Sequence, residues 1–208
     1  MLAGGRRPPG RPRLADLTEP TDLAILKAAA QLFMDHGYRG VTMDMVAEAA
    51  DLTKAAVYYY FHDKASLVVA MLGRTFAAAR SGTEEILSQP RPLMERLVAM
   101  AEVVLGLPQP FIAFNTLMHE AATELSDVQI QVIREAEASV TAPLEQAVLK
   151  AAASGEIMVE DPLLLAHAFV AALRVGQTLT LDGRPRFPDR RRTARVLVTV
   201  LWQGVAPA

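Results

Sequence analysis

The chain has 208 residues, 51% of them hydrophobic, no cysteine and a formal net charge of −2. That length supports a real core in one or two domains. The lack of cysteine excludes disulfides and thiolate metal sites, and the near-neutral balance excludes binding of polyanions through bulk charge. Aromatic residues make up only 6% while alanine and leucine abound, which favours helices over strands.

The charge is unevenly placed. Residues 1–13 carry Arg6, Arg7, Arg11 and Arg13 and no acid, whereas the other 195 residues hold 17 basic and 23 acidic side chains, a net of −6. A short basic arm on an acidic body is either a local contact to something negative or a solvated tail. Pro8, Pro9, Pro12 and Pro20, with Gly4, Gly5 and Gly10, oppose a helix, so residues 1–20 read as a flexible arm. No apolar signal region opens the chain and no apolar run approaches about 18 residues, so no membrane partner and a cytoplasmic location are expected.

Helical spacing begins at Thr21, with Ile25, Ala29, Leu32 and Phe33 on one face and Gly37 as the stop. Thr42 is placed to cap a short helix containing Met45, Val46 and Ala50, with Asp44 suiting its dipole. Asp51-Leu52 makes a tight break, and Thr53 caps a second short helix, 54–60. Asp63 opens a longer one through Leu67, Met71 and Phe76. Ala29, Phe33, Val46, Ala50, Leu52, Val57 and Phe61 are expected to form a small core beneath these helices. A helix of about two turns exposes few side chains, which makes sense if they must enter a groove, because the major groove of DNA accepts one helix.

Beyond Ser81 the helices lengthen. They are predicted over 93–105, 111–123, 127–153 with Pro143 as a kink, 162–181 with Pro162 at the first helical position, and 189–203. The expectation is an all-α chain of about nine helices. It divides into the arm (1–20), a three-helix helix-turn-helix domain with a connecting helix (21–81), and a larger helical domain (82–208).

The stretch from Ile25 to Leu67 carries several motif pieces in register. They are Ile25-Leu26-x-Ala28-Ala29-x-x-Leu32-Phe33, His36-Gly37-Tyr38, Val41-Thr42-Met43, Val46-Ala47-Glu48-Ala49-Ala50, Val57-Tyr58-Tyr59-Tyr60-Phe61 and Lys64-x-x-Leu67. Together they resemble the DNA-binding domain of the TetR family of transcriptional repressors. Three positions depart from the family pattern: Asp51 stands where the family usually has Gly, Ala55 replaces a common Gly, and Val57 replaces a common Leu or Ile. Aspartate tolerates the left-handed conformation better than most residues, so the turn is expected to survive.

The resemblance implies double-stranded DNA as partner, with Thr53, Lys54, Ala55, Ala56, Tyr58, Tyr59 and Tyr60 on the recognition-helix surface. Lys54 would bond phosphate or a guanine edge, the alanines a thymine methyl, and the tyrosine hydroxyls phosphates. Thr42 and Lys64 match positions that clamp the DNA backbone at helix N-termini. The three tyrosines cannot all face one way, and Tyr58 is the ring expected to be partly core. Arg11 and Arg13, held extended by proline, look like a weak version of a minor-groove hook.

The segment Phe114–Gly155, with Glu120-Ala121-Ala122 and Ala151-Ala152-Ala153-Ser154-Gly155-Glu156-Ile157, resembles the C-terminal regulatory domain of some TetR-like regulators. The implied function is a homodimeric repressor released from a palindromic operator by a small apolar or amphipathic effector. Its two recognition helices would enter successive major grooves about 34 Å apart. The dimer surface falls on the last two helices: Leu164, Ala168, Ala171, Ala172, Val175 and Leu179 form one stripe, and Leu197, Val198, Leu201 and Trp202 the other, the alternative being an ordinary internal core. An effector pocket would draw on Leu97, Met100, Phe111, Phe114, Met118, Phe169 and Leu173, with Asn115, His119, His167 and Gln177 as polar groups, although such stripes are more often plain core.

No cofactor or metal is implied, because His119-Glu120 and His167 lack metal spacing on one helix face. No phosphate loop or nucleophile motif supports an enzyme. The remaining alternative is a ligand-independent DNA-binding or DNA-organising protein, which the acidic body disfavours.

Overall fold

The computed structural model describes residues 20–107 and 110–204, and the side chains of residues 110–115 lie outside that description. Two compact units are present, divided between Met71 and Leu72.

The first unit is built on α1 (Thr21–Gly40), α2 (Met43–Ala49), α3 (Lys54–Tyr60) and the opening turns of α4 (Lys64–Leu87). Gly37 interrupts α1 with φ 68° and ψ 178°, a conformation open to glycine alone. The chain thereby turns Tyr38 back, fully buried, to stack on Phe33 with ring centroids 5.9 Å apart. Ile25, Ala29, Val46, Val57, Phe61, Leu67 and Val68 are buried in the same unit. Ala50 and Leu52, expected in this core, are only half-buried. Thr42 and Thr53 cap α2 and α3, accepting the N–H groups of Met45 and Ala56 at 3.3 and 3.1 Å. Between those helices Asp51 adopts φ 52°, the left-handed turn that its substitution for glycine requires.

The second unit contains the rest of α4, then α5 (Leu93–Val104), α6 (Pro110–Ala121), α7 (Asp127–Ser139), α8 (Ala142–Ala153), α9 (Pro162–Gly176) and α10 (Arg190–Trp202). That makes ten helices among the described residues, because the predicted 127–153 helix is two. Proline lacks an N–H and clashes with the preceding turn, so Pro143 starts α8 rather than kinking one long helix. The predicted end of α9 also shifts. The helix stops at Gly176, and residues 178–186 fold back as a tight hairpin, with Thr180 donating to the Arg184 carbonyl and Arg186 to that of Thr178, both at 2.8 Å. The Asp182-Gly183 pair makes the turn of that hairpin, with Gly183 at φ 78°.

The core of this unit joins α5, α8, α9 and α10 through Leu93, Leu97, Met100, Leu144, Val148, Phe169, Leu173 and Val198. Gly176 lets three helices meet: a Cβ there would stand 2.6 Å from Leu105 Cδ2 and 3.0 Å from Leu197 Cδ1. Arg96 fastens the corner between α4 and α5, donating to the Leu87 carbonyl at 2.7 Å and facing Glu156, which also accepts the Leu93 N–H. Among the described residues no helix is long and apolar enough to cross a membrane.

Candidate nucleic-acid interface

Helix α3 is anchored by one side chain. Val57 is wholly buried, and the residues around it project outward: Lys54, Ala55, Tyr58, Tyr59 and Tyr60 are exposed and Ala56 is half-buried. Tyr59 stands furthest out at 84% exposure and meets Tyr60 edge-on with centroids 5.2 Å apart. The expectation that Tyr58 is partly core is corrected. Val57 and Phe61, four residues apart, already fill the one inward-facing stripe a seven-residue helix possesses. All three phenols are left at the surface, where each offers a hydroxyl hydrogen bond.

The two lysines have different fates. Lys54 remains exposed, but its Nζ lies 2.8 Å from Asp44 Oδ1 and 5.8 Å from the centre of the Tyr58 ring. Lys64 is turned inward. Its ammonium donates to the carbonyls of Tyr38 (3.1 Å) and Val41 (3.3 Å) and sits 4.1 Å over the Tyr38 ring. At the end of α1 the Tyr38 carbonyl also accepts the Val41 N–H at 3.4 Å, and a cation is a natural further donor to carbonyls left at a helix C-terminus. Two of the Lys64 N–H groups are thus committed within the protein, with one N–H left over for the phosphate expected there. Arg11 and Arg13 lie outside the described residues.

In the second unit the described members of the expected pocket set are placed as follows. Met100, Phe169 and Leu173 are core. The void that Phe169 lines with Leu97, Leu165 and Trp202 measures about 10 Å³, room for one water. Gln177 donates to the Val104 carbonyl at 2.9 Å, tying the end of α9 to the end of α5. His167 faces Glu145 across 3.3 Å at the surface, His119 is exposed and Met118 is half-buried. The side chains of Phe111, Phe114 and Asn115 lie outside the described residues.

The expected dimer stripe needs a change of phase on α10. Val198 is 1% exposed and faces the core with Ala194, while Leu197, Leu201 and Trp202 are half-buried. The exposed apolar residues of that helix are Val196 and Val200, which periodicity alone did not single out. On α9, Leu164, Ala171 and Val175 are exposed as expected, Ala168 and Ala172 are half-buried, and Leu179 follows in the hairpin, exposed. An open groove of about 450 Å³ runs between these faces, lined by Val175, Phe187, Arg192, Val196 and their neighbours.

Residues 25–71 match the profile of the bacterial regulatory proteins of the tetR family. The transcriptional repressor BepR of Brucella suis is 29% identical over 198 residues, covering 89% of this chain and 92% of its own. Among solved structures, a TetR-family regulator of Mesorhizobium loti superposes with a TM-score of 0.74 at 22% identity, covering 90% of this chain and 97% of that one. The regulator AibR, solved with isovaleryl coenzyme A and operator DNA, superposes at 0.64 with 26% identity, covering 86% and 97%. These relatives are regulators rather than enzymes, and the enzyme alternative is set aside. Residues 25–71 thus carry the tetR-family profile, and the chain as a whole is similar to helix-turn-helix transcriptional regulators.

Proposed function

We propose that the chain is a dimeric repressor that reads a palindromic operator with α3 and leaves it when a small amphipathic effector binds. The observation that carries this reading is the surface of α3. One buried valine and a threonine cap fix the helix, and an alanine, three phenols and the Asp44-paired Lys54 stand exposed for base edges and phosphates. BepR is named a repressor, and AibR was solved with both an acyl-CoA and operator DNA; both facts support repression with ligand control. The contacts fall to Thr53, Lys54, Ala55, Ala56, Tyr58, Tyr59 and Tyr60, with the N-terminus of α2 at Thr42 facing phosphate. The exposed faces of α9 and α10 supply the twofold contact.

The test is selection of bound fragments by the full chain from a random duplex pool. The expected product is an inverted repeat with half-site centres about 10 base pairs apart or a multiple of that. Recovery of no enriched sequence overturns the reading in favour of sequence-independent binding. Acyl-CoA thioesters and other amphipathic metabolites are then added to the bound complex, and release by one of them is expected.

A further inference from the structure

The junction of α2 and α3 holds a carboxylate where DNA is to be met. Asp44 lies in the first turn of α2, and Lys54 opens α3. The Lys54 ammonium is 2.8 Å from one Asp44 oxygen and donates to the other at 3.0 Å, with both side chains more than half exposed. The hydrogen bond and charge of Asp44 hold the Lys54 ammonium above the ordinary lysine range, so it is cationic at every physiological pH.

The pair matters because cations are scarce here. Residues 20–71 contain four basic side chains, Lys27, Arg39, Lys54 and Lys64, against six acids. Lys64 serves two carbonyls, and Lys27 and Arg39 are also engaged within the protein. No lysine or arginine among these residues is unengaged when a polyanion approaches. For Lys54 to take a phosphate it must exchange one oxyanion for another, a trade of similar strength, and leave the Asp44 carboxylate unpaired beside the DNA backbone. Release toward a guanine edge differs. The N7 and O6 acceptors are gained only where that base is present, together with the neighbouring fit of Ala55, Tyr58 and Tyr59.

We propose that Asp44 is a specificity-determining residue: it withholds Lys54 from phosphate and so suppresses sequence-independent binding relative to operator binding. This rests on the reading that α3 enters the major groove. The experiment measures Kd of the full chain across a salt series for two duplexes of equal length, the selected sequence and a scrambled version of it. Asp44→Asn is expected to tighten scrambled binding by about tenfold and operator binding by no more than about threefold. The scrambled salt slope should steepen by about 0.9, one further phosphate contact. In a Lys54→Ala background, Asp44→Asn should leave the operator-to-scrambled ratio unchanged.

Equal tightening on both duplexes, or a ratio change that persists without Lys54, overturns the proposal. Asp44→Ser, which keeps a first-turn oxygen, replaces Asp44→Asn if that variant melts early. A selection that enriches nothing overturns the underlying reading, whereas an enriched sequence with an unmoved ratio overturns the role of Asp44 alone.

Discussion

The Lys64 ammonium has three hydrogens, and two are committed to the Tyr38 and Val41 carbonyls that close α1. Hydrogen bonds from a charged donor to half-buried carbonyls contribute about 1.5–3 kcal/mol. Lys64→Met keeps the hydrophobic stem and removes the donor. It is expected to lower the stability of the first unit by that amount in urea unfolding, and to leave the salt slope of DNA binding unchanged. A full-strength fold with a salt slope reduced by about 0.9 would assign Lys64 to the phosphate backbone. Other single positions were legible in advance, for a physical reason. Gly37 and Asp51 declare backbone stereochemistry, which is local, and both sit at the positive φ expected of them. The inward turn of Lys64 and the outward turn of Tyr58 depend on where α1 ends and where Val57 points, and neither is written in the residue itself.

Helix caps belong to the next scale and were also readable, because a cap is settled within four residues. Asp63 is the sharpest case. Its carboxylate accepts the Ser66 N–H at 2.6 Å, and the Ser66 hydroxyl accepts the Asp63 N–H at 3.1 Å, closing a reciprocal box at the start of α4. The bond from the Ser66 backbone holds the Asp63 carboxyl below its ordinary range. A carboxyl depressed in the folded state adds stability that is fully present above its unfolded value of about 3.9 and is lost as pH falls through the folded value. Asp63→Ala is expected to cost about 1 kcal/mol at neutral pH. The gap between wild type and variant should narrow in urea titrations run progressively below about pH 4; a gap independent of pH would assign the cost to helix propensity alone. Helix ends were less legible than starts. α4 runs through Ser81 and Gly82 to Leu87, and α9 stops at Gly176, because packing decides where a helix may continue. The approach of Leu105 and Leu197 to Gly176 is a tertiary event that no local pattern announces.

Across the whole molecule, the outstanding fact is apolar surface left in water on two neighbouring helices. Leu164 and Val200 are 65% and 64% exposed, Val175 and Val196 lie beside an open groove, and small alanines between them allow another helix to come close. A stripe of that kind is the mark of an interface. On α10 Ala194 and Val198 face inward, so the residues two further on, Val196 and Val200, face outward, and the nearly continuous apolar run from Val196 to Trp202 does not by itself say which pair is which. The distinction gives the dimer a clean test. Val200→Glu changes an exposed side chain, so it should alter the stability of an isolated chain by no more than about 0.5 kcal/mol. In a twofold dimer the substitution appears twice in one interface, and each carboxylate loses water without gaining a partner. The expected result is a monomer in sedimentation equilibrium with wild-type helix content, and operator binding weakened because the two half-sites must then be engaged independently. Val198→Glu, placed in the core instead, should unfold the second unit. If Val200→Glu remains dimeric and binds the operator as tightly as wild type, the twofold contact lies elsewhere, and α9 and α10 owe their apolar stripe to something other than a second copy.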